Sequence, residues 1–112
     1  MKNLIYNINK FAQERDWEQF HTPKNLVMAL SVEVSEIMEH FQWLTPEQSY
    51  DLSADKLSEI KDEIGDTFIY LLRLCETLNI DILQAAGEKL ELNKLKYPVD
   101  KARGLAKKYN EL

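Results

Sequence analysis

The stretch Lys56–Leu78, KLSEIKDEIGDTFIYLLRLCETL, decides the fold. Leu57, Ile60, Ile64, Phe68, Leu71, Leu72, Cys75 and Leu78 recur every three or four positions, the repeat of one face of an α-helix. Ile69 and Leu74 widen that face beyond what a single neighbour covers, so the helix is expected to make contacts on two sides. Gly65 lies in mid-helix, where it costs about 1 kcal/mol relative to alanine. It is either a neutral position or a place where another backbone or a ligand comes close.

The same periodicity extends in both directions. Leu4, Ile5, Ile8, Phe11 and Ala12 predict a first helix ending near Asp16 or Trp17. Thr22-Pro23 predicts the start of a second, with Thr22 as N-cap and Pro23 where a missing N–H costs nothing. That helix carries Leu26, Val27, Leu30, Val34, Ile37, Met38 and Phe41 and must stop before Pro46. Thr45-Pro46-Glu47-Gln48 has the form of a capping box for one short turn. Asp81 predicts the N-cap of a fourth long helix, which runs to about Lys96. Three glycines and three prolines in 112 residues are too few for the turns of an all-β domain. The expectation is an all-α, four-helix bundle-like subunit over residues 1–98. Residues 99–112 are expected to form a basic, loosely held tail with Lys101, Arg103, Lys107 and Lys108. The wide face of the Lys56–Leu78 helix favours assembly into a homodimer or homotetramer over a monomer with a few exposed leucines.

Charge narrows the functional classes. With 19 acidic against 14 basic residues the net charge is −5, which argues against a nucleic-acid polymer as ligand. It argues against a phosphate-rich ligand too, unless a cation is added. The single cysteine, Cys75, lies in an apolar run and reads as a buried structural thiol. No apolar run approaches the roughly 18 residues of a membrane span, and Met1–Asn7 is too mixed for a signal peptide. A cytoplasmic protein is the default expectation.

Two acidic pairs stand out. Glu33 and Glu36 are three apart on the second helix, and Glu33 falls in line with the stripe of Leu26, Leu30 and Ile37. A carboxylate in line with a core must be paired, protonated or metal-bound, because an unpaired buried charge is very costly. Glu63 and Asp66 form a second such pair on the third helix, with Tyr70 one turn on. Neighbouring antiparallel helices bring such pairs together, and a hard divalent cation relieves the repulsion. Mg²⁺ suits an all-oxygen donor set completed by waters and phosphates. A di-iron centre needs two Glu-x-x-His units, which this chain lacks, and no cysteine or histidine cluster points to zinc. No glycine-rich phosphate loop is present. Trp17 and His21 in the first connection, and Trp43 after the second helix, offer stacking surfaces for a base or else close the bundle ends.

The ordered set Glu33-x-x-Glu36, Phe41-Gln42-Trp43 and Glu63-x-x-Asp66 resembles the all-α nucleoside triphosphate pyrophosphohydrolases of the MazG type. The segment Glu14-Arg15-Asp16-Trp17-Glu18-Gln19-Phe20-His21 and the pattern Lys89-x-x-x-Asn93-x-x-x-Tyr97-Pro98 resemble the dCTP pyrophosphatase branch. The likeness spans about residues 8–98. It implies cleavage of a nucleoside triphosphate between the α and β phosphates, with Mg²⁺ held by Glu33, Glu36, Glu63 and Asp66. It also implies a base pocket drawing on Trp17, His21, Trp43, Lys89, Asn93 and Tyr97, some of them from a neighbouring subunit. Glu36, then Glu39, are the carboxylates expected to take the proton of the attacking water. Lys96 stands where many relatives have arginine, which keeps the charge but loses the bidentate fork. His40, on the acidic side of the second helix, is expected to be a surface histidine, with a hydrogen bond to the site as the alternative. A dUTP-directed or broad-specificity hydrolase and a non-catalytic helical interaction module are the alternatives.

Overall fold

A computed structural model describes residues 1–112 and is all-helical, with five α-helices and no strand. The chain forms two compact units, Met1–Asn79 and Ile80–Leu112. The first contains α1 (Lys2–Glu14), α2 (Pro23–Phe41), a 3₁₀ turn (Gln48–Tyr50) and α3 (Ala54–Thr77). The second contains α4 (Ile82–Lys96), α5 (Val99–Ala102) and a 3₁₀ turn (Tyr109–Glu111). No helix is long and apolar enough to cross a membrane.

The helix ends follow local chemistry. Thr22 accepts from the Asn25 N–H and caps α2, with Pro23 in the first turn. Thr45 and Gln48 cap each other reciprocally: the Gln48 N–H donates to Thr45 Oγ1 at 3.2 Å and the Thr45 N–H to Gln48 Oε1 at 2.9 Å. Asp81 caps α4 through the Gln84 N–H. The third helix begins two residues earlier than its apolar stripe indicates, because Ser53 accepts from the Lys56 N–H. The first helix closes in a Schellman turn. Asp16 adopts a left-handed φ of 54°, its N–H donates to Gln13 O, and the Trp17 N–H reaches back to Ala12 O at 2.9 Å. The apolar contact that accompanies such turns is Trp17 against Phe11, edge to face at 5.6 Å.

α2 and α3 pack along each other in opposite directions. His40 meets Glu63, whereas Glu33, nearer the start of α2, faces Asp66, farther along α3. α1 rests on the C-terminal half of α3, tied by Asn9 to Arg73 and Glu76. The core of the first unit is small: Ile8 and Ala12 from α1, Leu26 from α2, and Ile60, Leu72 and Cys75 from α3. Burial, then the Glu76 charge, pushes the Cys75 thiol above its ordinary pKa, as fits an inert structural cysteine. The α3 stripe is therefore covered only in part; Leu57, Ile64, Phe68 and Leu78 stay exposed. A Cβ at Gly65 would meet nothing within 4 Å, so no close approach within this chain requires that glycine.

Candidate active site

Helical spacing puts Glu33 and Glu36 on one face of α2, and antiparallel packing turns that face toward Glu63 and Asp66 of α3. Glu33 feels the other three acids. Glu33 is held above the usual carboxylate range, first by burial, then by the charge of Glu36 and a hydrogen bond with it, and then by Asp66 and Glu63. Glu33 Oε2 and Glu63 Oε2 are sealed from the surface without any hydrogen-bond partner in the protein. Such orphaned oxygens are costly unless something else satisfies them. Glu39 is exposed.

His40 is not a surface histidine. Its side chain is 12% exposed, and Nε2 lies 2.7 Å from Glu63 Oε2, within ion-pair distance though not aligned as a hydrogen bond. Counting residues along α2 places it on the acidic side. What the count does not supply is the depth at which α3 covers that side.

The donor set is all carboxylate oxygen: Glu33 Oε2 has no protein partner, and Glu63 Oε2 has only the His40 ring beside it, an arrangement that a hard cation would satisfy. No three acidic or histidine side chains close into a ready ligand cage.

Beside the acids, α1 and α3 frame a pocket of about 370 Å³. Phe11, Trp17, Tyr70 and Ile69 form apolar walls, with His21, Arg73 and Asp66 also lining it. Trp17, His21 and Tyr70 stand edge to face in series, at centroid distances of 6.2 and 6.5 Å. Asp66 thus belongs to both the pocket and the carboxylate cluster. The Schellman turn aims Trp17 here, and the α2 cap holds the loop carrying His21. Arg73 is 6% exposed and pairs with no carboxylate; its Nε donates to His21 Nδ1 at 3.3 Å and its Nη1 to Asn9 Oδ1 at 2.7 Å. Asn9 passes the network on to Glu76 Oε1 at 2.9 Å. His21 is held below its ordinary pKa by burial and then by the Arg73 charge, with Glu18 opposing, so the imidazole is neutral at pH 7.

Of the expected base-pocket residues, Trp17 and His21 come together here, and Trp43 does not. Trp43 is 87% exposed. Lys89, Asn93 and Tyr97 belong to the second unit, where the Tyr97 ring packs edge to face on Tyr109 at 6.3 Å. Lys96 Nζ lies 4.8 Å from the centre of the Tyr109 ring, a cation–π contact. Tyr70, Phe11 and Arg73 escaped the motif reading. Tyr70 had a signal, one helical turn beyond Asp66. Arg73 sits inside an apolar run, and an arginine there is itself a sign of a buried polar contact.

Fold and site together define a class: an all-helical protein in which two acidic helix pairs face each other beside an aromatic pocket. The chain belongs to the MazG-like family, whose model matches residues 28–112. It is 42% identical to dCTP pyrophosphatase 1 of Bos taurus and 40% to that of Homo sapiens, over 105 residues in each case. These matches take in 92% of this chain but 62% of the relatives, so the chain spans about three-fifths of their length. The crystal structure of a pyrophosphatase from Archaeoglobus fulgidus DSM 4304 superposes with a TM-score of 0.84 at 37% identity, covering 88% of this chain and 92% of that one.

Proposed function

We propose that this chain is a Mg²⁺-dependent nucleoside triphosphate pyrophosphohydrolase acting on dCTP-like or noncanonical nucleotides, in the service of nucleotide-pool house-cleaning. The observation that carries this reading is Asp66. It joins a cluster of carboxylates with unsatisfied buried oxygens to a pocket walled by aromatic rings. A base stacked in the pocket therefore leaves its phosphates over the acids. The relatives called dCTP pyrophosphatase 1 support the substrate class.

Glu33, Glu36, Glu63 and Asp66 would hold the metal, which when bound neutralises the triphosphate and polarises its phosphoryl oxygens. Trp17 and Tyr70 grip the base by stacking, with His21 at its edge. The attacking water forms its bond to the α-phosphorus as the bond from that phosphorus to the α–β bridging oxygen breaks. Pyrophosphate leaves, and the proton passes to Glu36, the neighbour of Glu33 on the same helix face. Glu39 is the second candidate for that proton. Trp43, Lys89, Asn93 and Tyr97 complete the substrate site in an assembled enzyme.

The subunit is a four-helix bundle-like element, residues 1–98, of a cytoplasmic homo-oligomer, with residues 99–112 as a basic tail. The apolar side chains of α2 and α3 left exposed, among them Val27, Met28, Val32, Leu57 and Ile64, support assembly. A panel of nucleoside triphosphates with Mg²⁺, assayed for pyrophosphate release, tests the proposal; no release from any of them would sink it.

A further inference from the structure

Arg73 has no role in the chemistry above, yet it is the one charged side chain in the core. Burying a guanidinium without a carboxylate partner is expensive, and here only neutral acceptors, His21 Nδ1 and Asn9 Oδ1, receive its hydrogen bonds. Two of its nitrogens are engaged in this way, and Arg73 is among the residues lining the aromatic pocket. Arginine carries five N–H donors and no acceptor, so donors remain for a ligand. The bond at Nδ1 has a second consequence. A neutral imidazole has one donor and one acceptor nitrogen; with Nδ1 accepting from Arg73, the proton must sit on Nε2.

We propose that Arg73 is a specificity-determining residue: it fixes His21 as the tautomer that donates from Nε2, and with its own spare N–H it offers the bound heterocycle two donors. This deepens the reading of the pocket as the base site and rests on it. The ring that satisfies two donors carries two adjacent acceptors. Cytosine does so with N3 and O2, and guanine with N7 and O6. Uracil and thymine present a ring N–H at N3, donor against donor. Adenine presents its amino group beside N1 or N7. A buried donor left facing a donor loses its hydrogen bond and its water together, which is why such sites discriminate strongly.

Two measurements test this. The first uses the wild-type chain alone: nitrogen-15 spectra of the histidine rings at neutral pH should show His21 with a protonated Nε2 and a bare Nδ1. In Arg73→Met that single tautomer should give way to a mixture. A proton on Nδ1 in the wild type overturns the proposal, with no variant needed. The second compares kcat/KM for dCTP, dGTP, dUTP and dATP. The wild type should prefer a triphosphate with paired acceptors, the dCTP and dGTP arms deciding which. Arg73→Met should shrink that preference roughly tenfold or more, through KM rather than kcat. Arg73→Lys, which keeps one donor without the fork, should recover part of it. An unchanged preference in folded Arg73→Met overturns the proposal while leaving the hydrolase intact. If the wild type hydrolyses nothing, the base-site reading fails instead, and the tautomer measurement still judges what Arg73 does to His21.

Discussion

The carboxylate face between α2 and α3 and the aromatic pocket between α1 and α3 share Asp66 but rest on opposite physics. On the carboxylate face, Glu33 is buried among three other acids with Oε2 unsatisfied, a cost that a cation would remove. In the pocket the buried polar groups form one hydrogen-bonded chain, from His21 through Arg73 and Asn9 to Glu76. The first region is poised to bind charge. The second is already stable and selects by shape, stacking and a few spare donors. Substitutions should therefore separate the two: acids trade stability against turnover, and pocket residues change affinity and choice of base.

The largest effect belongs to the carboxylates. Glu63→Gln keeps the size of the side chain but removes a charge aimed at the cluster, and it should lower kcat by about 10²-fold or more. Its thermal midpoint without metal reads the balance between relief of repulsion in the cluster and loss of the His40 ion pair. Pyrophosphate release at saturating Mg²⁺ and a melting curve read the two quantities, and full activity in the variant would remove Glu63 from the machinery. Trp17→Ala comes next. Loss of a stacking face is worth roughly 1–3 kcal/mol, so KM for the preferred nucleotide should rise by about tenfold to a hundredfold with kcat little changed. Trp43→Ala, at a ring 87% exposed in the single chain, is the matched comparison: its KM should rise less than that of Trp17→Ala, because the ring meets substrate only in the assembled enzyme. Equal effects at the two tryptophans would break the division between pocket and periphery.

The two regions were also unequally legible in the sequence. Glu33, Glu36, Glu63 and Asp66 sit on long uninterrupted helices, where spacing alone fixes which side chains share a face. The caps at Thr22, Thr45 and Asp81 were legible for the same reason: each involves residues at most three apart. The pocket joins α1, a loop and α3 through pairs such as Asn9 with Arg73, which lie far apart in the chain and follow no period. Trp17 depends on Asp16 accepting a left-handed backbone, a cost that only the finished Schellman turn repays. His40 was misplaced because helical counting gives direction around a helix and not depth beneath its neighbour.

A smaller effect tests the cost stored among the acids. Because Glu33 is held above its ordinary range in the folded state, the native chain binds a proton there more readily than the unfolded chain does. Stability from this group is present at low pH and is lost as pH rises through the elevated folded value, so the metal-free protein carries the penalty at pH 7. Glu33→Gln should therefore melt a few degrees higher than wild type at pH 7 without Mg²⁺, with the gap closing on acidification or when Mg²⁺ is added to the wild type. A variant less stable than wild type under metal-free conditions at pH 7 would mean that the four carboxylates do not strain the fold.

The smallest effect falls on the helix that carries both regions. Gly65 stands between Glu63 and Asp66, in helical backbone, with open space where a Cβ would go. Gly65→Ala should then stabilise the isolated chain by about 0.4–1 kcal/mol, by reducing the freedom of the unfolded state. The outcome divides stability from function at a single position. If the melting temperature rises and turnover is unchanged, the glycine is a neutral relic of the helix. If the melting temperature rises and turnover falls, the open space beside the acids is used by the substrate or by a second copy of the chain. Analytical ultracentrifugation of the same variant separates those two, since only an occupied subunit contact shifts the assembly state.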